Sequence, residues 1–139
     1  MQKIVPPTLA LAAVLSLGAC SSTSSTGPDT ALVLFHGTGT AEQLKSGCWA
    51  SFFAERNFNG NSLTLIGPVE LTTFDKESAR ELRREMRSVI TGPRTNLVLY
   101  EKQFLSARSV GFQPATREAS LVEKLGFGGR IESMQLRCG

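Results

Sequence analysis

The chain has 139 residues, of which 41% are hydrophobic and 19% charged, with a formal net charge of +3 and three cysteines. That length carries one domain with a sizeable core once any leader is removed, but not two. The charge excess is too small to imply nucleic acid, and it falls to about +2 if Lys3 leaves with a leader.

Residues 1–19 have the anatomy of a signal peptide: one basic residue, Lys3, an apolar stretch from Leu9 to Leu17, and small residues at Gly18 and Ala19. The apolar run is too short to span a bilayer and stops at a cysteine. Leu17-Gly18-Ala19-Cys20 resembles a bacterial lipobox, which implies cleavage before Cys20 and acylation of its thiol and new amine by fatty acids such as palmitate. Two or three acyl chains, each contributing about 0.8 kcal/mol per buried methylene, anchor a small protein durably. Ser21 stands where an aspartate would resemble the inner-membrane retention signal, so in a Gram-negative cell the expected location is the outer membrane, facing the periplasm. Residues 20–30 form the lipidated cysteine and a Ser/Thr/Gly/Pro tether that cannot bury a core.

Residues 31–46 read as a strand, Ala31 to Phe35, followed by a loop and at most a helical turn over Ala41 to Lys45. His36-Gly37 after an apolar strand resembles the oxyanion strand of α/β-hydrolases. That chemistry needs a Gly-x-Ser-x-Gly elbow, which is missing, and His36 is the only histidine. No other constellation supports an enzyme.

From Cys48 onward, strands Trp49–Phe53 and Ser62–Ile66 flank a turn with Asn57, Asn59, Gly60 and Asn61. An apolar piece, Val69 to Phe74, follows. Asp75 is the expected N-cap of a helix over about Lys76 to Met86, with Ala79, Leu82 and Met86 inward. Arg80, Arg83, Arg84 and Arg87 line its other side, diluted by Glu77, Glu81 and Glu85. That stripe is either a solvated, salt-bridged face or a contact for acidic envelope polymers or lipid head groups. The second half runs from Asn96–Tyr100 through Val110–Phe112, a helical turn near Leu121 to Leu125, a Gly126–Gly129 turn lacking P-loop residues, and a closing strand from Ser133 to Cys138.

The two halves repeat. Phe53 and Tyr100 end apolar strands 47 residues apart, Phe58 and Phe104 follow as turn-embedded aromatics 46 apart, and Ser88 and Ser133 sit in closing strands 45 apart. Phe53-x4-Phe58-x-Gly60 with a serine near the last strand resembles the βγ-crystallin Greek-key motif. The resemblance implies an all-β sandwich of two such motifs, about 47–92 and 95–139, in a domain spanning 47–139, with one short helix in the first motif. An unrelated β-sandwich with aromatic-rich hairpins is the alternative. The second motif departs from the pattern: its aromatic spacing is one residue shorter, and Ser106 stands where glycine is expected.

With Cys20 acylated, Cys48 and Cys138 remain as one pair in an exported protein and are expected to join. Microbial members of this family carry calcium on Asn/Asp-Asn/Asp-x-x-Ser/Thr-Ser. The matching positions here hold Arg83-Arg84 and Gly128-Gly129, so no calcium, other metal or cofactor is expected. The resemblance leaves two roles, a binding or structural envelope domain with an unnamed protein or polymer partner, and a protease inhibitor presenting a loop such as Gly111 to Arg117.

Overall fold

The computed structural model describes residues 32–127 and 130–139. Among the described residues nine strands form two antiparallel sheets: β1 (Val33–His36), β2 (Trp49–Phe53), β3 (Ser62–Ile66), β4 (Val69–Leu71), β5 (Ser88–Thr91), β6 (Thr95–Lys102), β7 (Ser106–Phe112), β8 (Arg117–Glu118) and β9 (Ser133–Cys138). The first sheet runs β1-β3-β2-β5-β8 and the second β4-β9-β6-β7. Each half therefore gives its third strand away: β4 pairs with β9, and β8 pairs with β5. Neither half can complete its sheet alone, so the two motifs fold as one unit.

The core lies between the sheets. Period-2 alternation sends Leu97 and Leu99 of β6 inward beside Leu136 and Met134 of β9, and Phe52 of β2 inward beside Leu63, Leu65 and Val89. Strand β2 is buried on both faces. Its Ser51 Oγ lies 2.6 Å from Thr64 Oγ1, which donates to the Gly37 carbonyl at 2.6 Å. The N-terminal arm supplies that cover. Strand β1 joins β3 as an edge strand, Val33 opposite Ile66 and His36 opposite Leu63. The chain then turns through Thr40–Leu44, with Thr40 N–H bonded to Gln43 Oε1 at 2.8 Å.

Helix α1 (Glu77–Arg84) is shorter at both ends than the expected Lys76–Met86. Lys76, not Asp75, occupies the cap position, and no side chain bonds the first turn. At the other end Glu85 leaves helical geometry, with its N–H turning to the Leu82 carbonyl. Ala79 and Leu82 are nevertheless buried, as is Met86 just beyond. Arg87 thus sits outside the helix, its N–H bonded to the Phe53 carbonyl at 2.8 Å. A second helix, α2 (Leu121–Leu125), buries Leu121 and Leu125 and ends on Gly126 in the left-handed region at φ 71.

Cys48 and Cys138 are joined by a disulfide with their Cα atoms 5.3 Å apart and 90 residues between them in sequence. Their end of the sandwich also holds Gly47, Arg94 and Gly139, linked by backbone hydrogen bonds. The register of β1 puts Leu32 and Val33 near this end, beside Ile66. The other end carries both long hairpins and α1. Strand β6 runs the length between the two ends, about 23 Å for its eight residues.

Candidate functional site

The distal end is built from two hairpins, each latched by a buried serine. Ser88 Oγ accepts from the Phe58 N–H at 3.0 Å and donates to the Glu55 carbonyl at 2.7 Å. Ser133 Oγ accepts from the Leu105 N–H at 3.0 Å and donates to the Lys102 carbonyl at 2.5 Å. Both serines are 0% exposed. Each hydroxyl satisfies two backbone groups that the folded-back turn leaves unpaired, which is why a small hydroxyl residue is needed there.

These bonds correct the sequence pairing of Phe104 with Phe58. The residue that occupies the Phe58 position is Leu105, and the offset within the hairpin turns is 47: Glu55 matches Lys102, Asn57 matches Phe104, and Gly60 matches Ala107. Backbone angles agree, since Asn57 and Phe58 have φ 58 and 61 while Phe104 and Leu105 have φ 59 and 53. Gly60 at φ 79 has its partner in Ala107 at φ 66, not in Ser106. Phe104 consequently points out, 69% exposed, and packs no core. The 47-residue spacing of Phe53 and Tyr100 carries this register, whereas the aromatic ring of Phe104 stands one residue before it.

In the first hairpin Phe53 and Phe58 meet edge to face, with centroids 5.7 Å apart and planes at 78°. The Arg117 guanidinium lies 4.6 Å from the Phe58 centroid, a contact that sequence spacing does not announce. In the second hairpin Arg108 reaches Glu101 through Nε and Nη2, both at 2.9 Å, and lies 5.7 Å from the Phe127 ring. The hydrogen bonds from Arg108 hold the Glu101 carboxyl below its ordinary value.

Helix α1 crosses this end with its charges mixed, Glu77 and Glu81 lining one cleft with Arg80 and Arg84. Glu81 Oε1 lies 3.4 Å from His36 Nε2, and Glu85 lines the cleft at that pair with Gly60 and Asn61. Arg80, Arg83 and Arg84 are exposed, as is Arg87 beyond the helix. Arg83 Nη2 approaches Glu132 Oε1 at 3.6 Å. The guanidinium groups of Arg80, Arg84 and Arg87 make no ion pair with any described residue. Among the described residues no group of three or more His, Cys, Asp or Glu side chains converges to hold a metal ion. Gly128-Gly129, the second expected departure from a calcium motif, and Cys20 both lie outside the described residues.

Of the loop expected over Gly111 to Arg117, Gly111 and Phe112 belong to β7 and Arg117 to β8, and only Gln113 to Thr116 form a tight turn. Thr91 Oγ1 donates to the Gln113 carbonyl at 3.0 Å and accepts from the Thr116 N–H at 2.8 Å, and Ala115 N–H bonds the Gly92 carbonyl at 2.9 Å.

The serine latches and the exchange of third strands describe paired, interlocked Greek keys. Comparison with solved structures agrees. A domain solved to trace the evolution of the eye-lens βγ-crystallin fold aligns with TM-score 0.61 at 17% identity, over 77% of this chain and 99% of that one. The described domain has the βγ-crystallin fold. Spherulin 3a from Physarum polycephalum aligns with TM-score 0.55 at 16% identity, over 78% of this chain and 95% of that one. A Neurospora crassa βγ-crystallin domain of Abundant Perithecial Protein, solved in a Ca2+-bound form, aligns with TM-score 0.51 at 14% identity, over 66% and 90%. No protein-family model and no curated protein sequence matches the chain.

Proposed function

We propose that this protein is a non-catalytic, lipid-anchored envelope protein whose βγ-crystallin-fold domain serves as a rigid binding or structural module. The observation that carries export is the Cys48–Cys138 disulfide, because such bonds persist in oxidising compartments outside the cytosol. The anchor follows from Leu17-Gly18-Ala19-Cys20. The test is membrane fractionation with intact mass of the wild-type protein and C20S. Acyl mass and membrane association on the wild type alone support the anchor, and a soluble wild type without acyl mass removes it. The function does not run on calcium: Arg83 and Arg84 stand at two positions where the family places oxygen ligands, and cations there repel a dication. The melting temperature should therefore be the same in chelator and in millimolar calcium, and a rise with calcium would overturn this reading.

Protease inhibition is the second reading, and the Thr91-tied turn at Gln113–Thr116 supports it through its rigidity. Ala115 at φ 57 weighs against it, because a segment entering a protease cleft as substrate must be extended. A protease panel with the purified protein separates the two readings.

A further inference from the structure

The four sheet edges are not alike. Strand β8 has two residues and β4 three, and β7, although it has seven, carries Arg108 and is kinked by Ala107 at φ 66 and by a register shift against β6. Shortness, charge and kinks are the devices by which proteins blunt an edge. Strand β1 has none of the last two. It pairs with β3 in unbroken register, and Leu32-Val33-Leu34-Phe35 contains no charge, proline or glycine. Val33 is 52% exposed.

The backbone shows which groups this edge offers. Gly37 N–H bonds the carbonyl of Ser62, the residue opposite it when the β1–β3 register is continued, so these two are a hydrogen-bonded pair. Such pairs alternate along an antiparallel ladder, which makes Phe35–Thr64 and Val33–Ile66 the next two. The N–H and C=O groups of Leu32, Leu34 and His36 therefore point away from β3, and none has a backbone partner among the described residues. Leu32 and Leu34 pack against the core, while Val33 and Phe35 take the outer side, where the Phe35 ring lies against Gly39.

We propose that β1 is a self-association edge, through which two copies of this chain pair antiparallel about a twofold axis at Leu34. An axis normal to the sheet keeps both core faces on one side, so residues of like parity must meet. Centred on Leu34, the pairing exchanges N–H···O bonds between Leu34 and its symmetry mate and between Leu32 and the other copy's His36. Every outward group of both strands is then used. The same register sets Val33 opposite the other copy's Phe35 at the closer, non-hydrogen-bonded spacing, and aromatic against β-branched is a favourable cross-strand pair. A neighbouring register leaves some of these groups unpaired.

A second copy is also the partner that an anchor supplies, a setting that rests on the anchored-envelope reading above. In the pair the two Leu32 residues lie about 14 Å apart along the strands. Residues 21–31, at up to about 3.4 Å each, span that shift, so both chains reach one membrane, where confinement raises their effective concentration. The pairing itself does not need acylation.

Full chains carrying V33C and F35C under different tags are co-expressed and mildly oxidised, in membranes and again in neutral detergent. An interchain disulfide joining positions 33 and 35, identified by peptide mapping, is expected. Either variant alone should give a trace at most, because each position is only diagonal to its own symmetry mate. In density-matched neutral detergent the wild type should sediment as a concentration-dependent monomer–dimer equilibrium. V33K, at an exposed position, should weaken the dimer about tenfold or more with the melting temperature of the monomer unchanged, while S109K on the β7 edge should change it by less than about threefold. A monomeric wild type with no 33–35 cross-link would overturn the proposal. So would V33C joining itself as readily as F35C, equal losses from V33K and S109K, or dimers that form only after deletion of residues 21–30, which would mean that the tether covers β1. Because acylation is scored separately by mass and the cross-link is also read in detergent, failure of the anchor and failure of this pairing give different results.

Discussion

The two hairpins are built on one plan with different side chains, and the difference shows what the plan needs. Both have a buried serine bonded to an N–H and a carbonyl of the turn, and both have two successive residues at positive φ. Only the first has the aromatic pair, Phe53 against Phe58, and glycine at its third positive-φ site. The second holds the same backbone with Leu105 and Ala107, and its nearby aromatic faces solvent. The latch and the backbone angles define the hairpin, and the ring is an addition to it.

Both hairpins belong to one unit through the exchanged strands β4 and β8, and the disulfide reinforces it. Replacing both cysteines, C48A/C138A, should cost about 2–5 kcal/mol, since the bond closes a loop of about 90 residues. The Phe58 and Leu105 amides, each bonded to its serine, should still exchange through a common opening. Separate opening energies in that variant would show two units, not one. On the next scale, S88A and S133A each leave a buried N–H and carbonyl without their partner and should cost about 2 kcal/mol apiece. Chemical denaturation measures both. A much smaller loss for S133A would mean that the second hairpin is held by something other than the latch.

The third positive-φ site predicts effects of opposite sign. At Gly60 an added Cβ would lie 3.0 Å from Glu55 Cγ at φ 79, so G60A should destabilise by about 1 kcal/mol. A107G should stabilise by up to about 1 kcal/mol, because Ala107 already bears that strain at φ 66. A shift of a few degrees in Tm either way is readable in a domain of this size. If A107G lowers Tm, unfolded-state freedom outweighs the relief, and the matched positions are not energetically equivalent.

Much of this was legible from spacing. The strand bounds of β2, β3 and β9, the α2 turn and the Cys48–Cys138 bond follow from alternation, turn residues and cysteine placement. What the sequence misassigned was the ring of the second hairpin. Residue identity favoured Phe104, while backbone geometry, which no side chain advertises, favoured Leu105. Met86 fits the helical period, so the expected helix runs past the end of α1 at Arg84. Met86 is buried after the helix has ended, as tertiary packing allows. The exchange of β4 and β8 between sheets is a long-range pairing with no local signal. Arg117 over Phe58 depends on the same exchange, since it sits on β8.

The smallest expected effect is an acid-labile element confined to the second hairpin. Glu101 and Arg108 pair there through two hydrogen bonds, and the residues 47 earlier, Ala54 and Asn61, cannot ionise. Arg108 depresses the folded-state pKa of Glu101 below its ordinary 4.5. A depressed carboxyl contributes stability that is fully present above the ordinary value and is lost as pH falls through the folded one. The pair is solvent-screened, so the contribution is slight and weakens further with salt. NMR titration of the Glu101 carboxyl should show a midpoint that rises in R108Q. The stability difference between wild type and R108Q should shrink as pH is lowered past that midpoint. Amide protection at Leu105 should then fall relative to Phe58 in the wild type but not in R108Q. If both hairpins lose protection together, the acid response belongs to the whole domain, and the ion pair is not what distinguishes them.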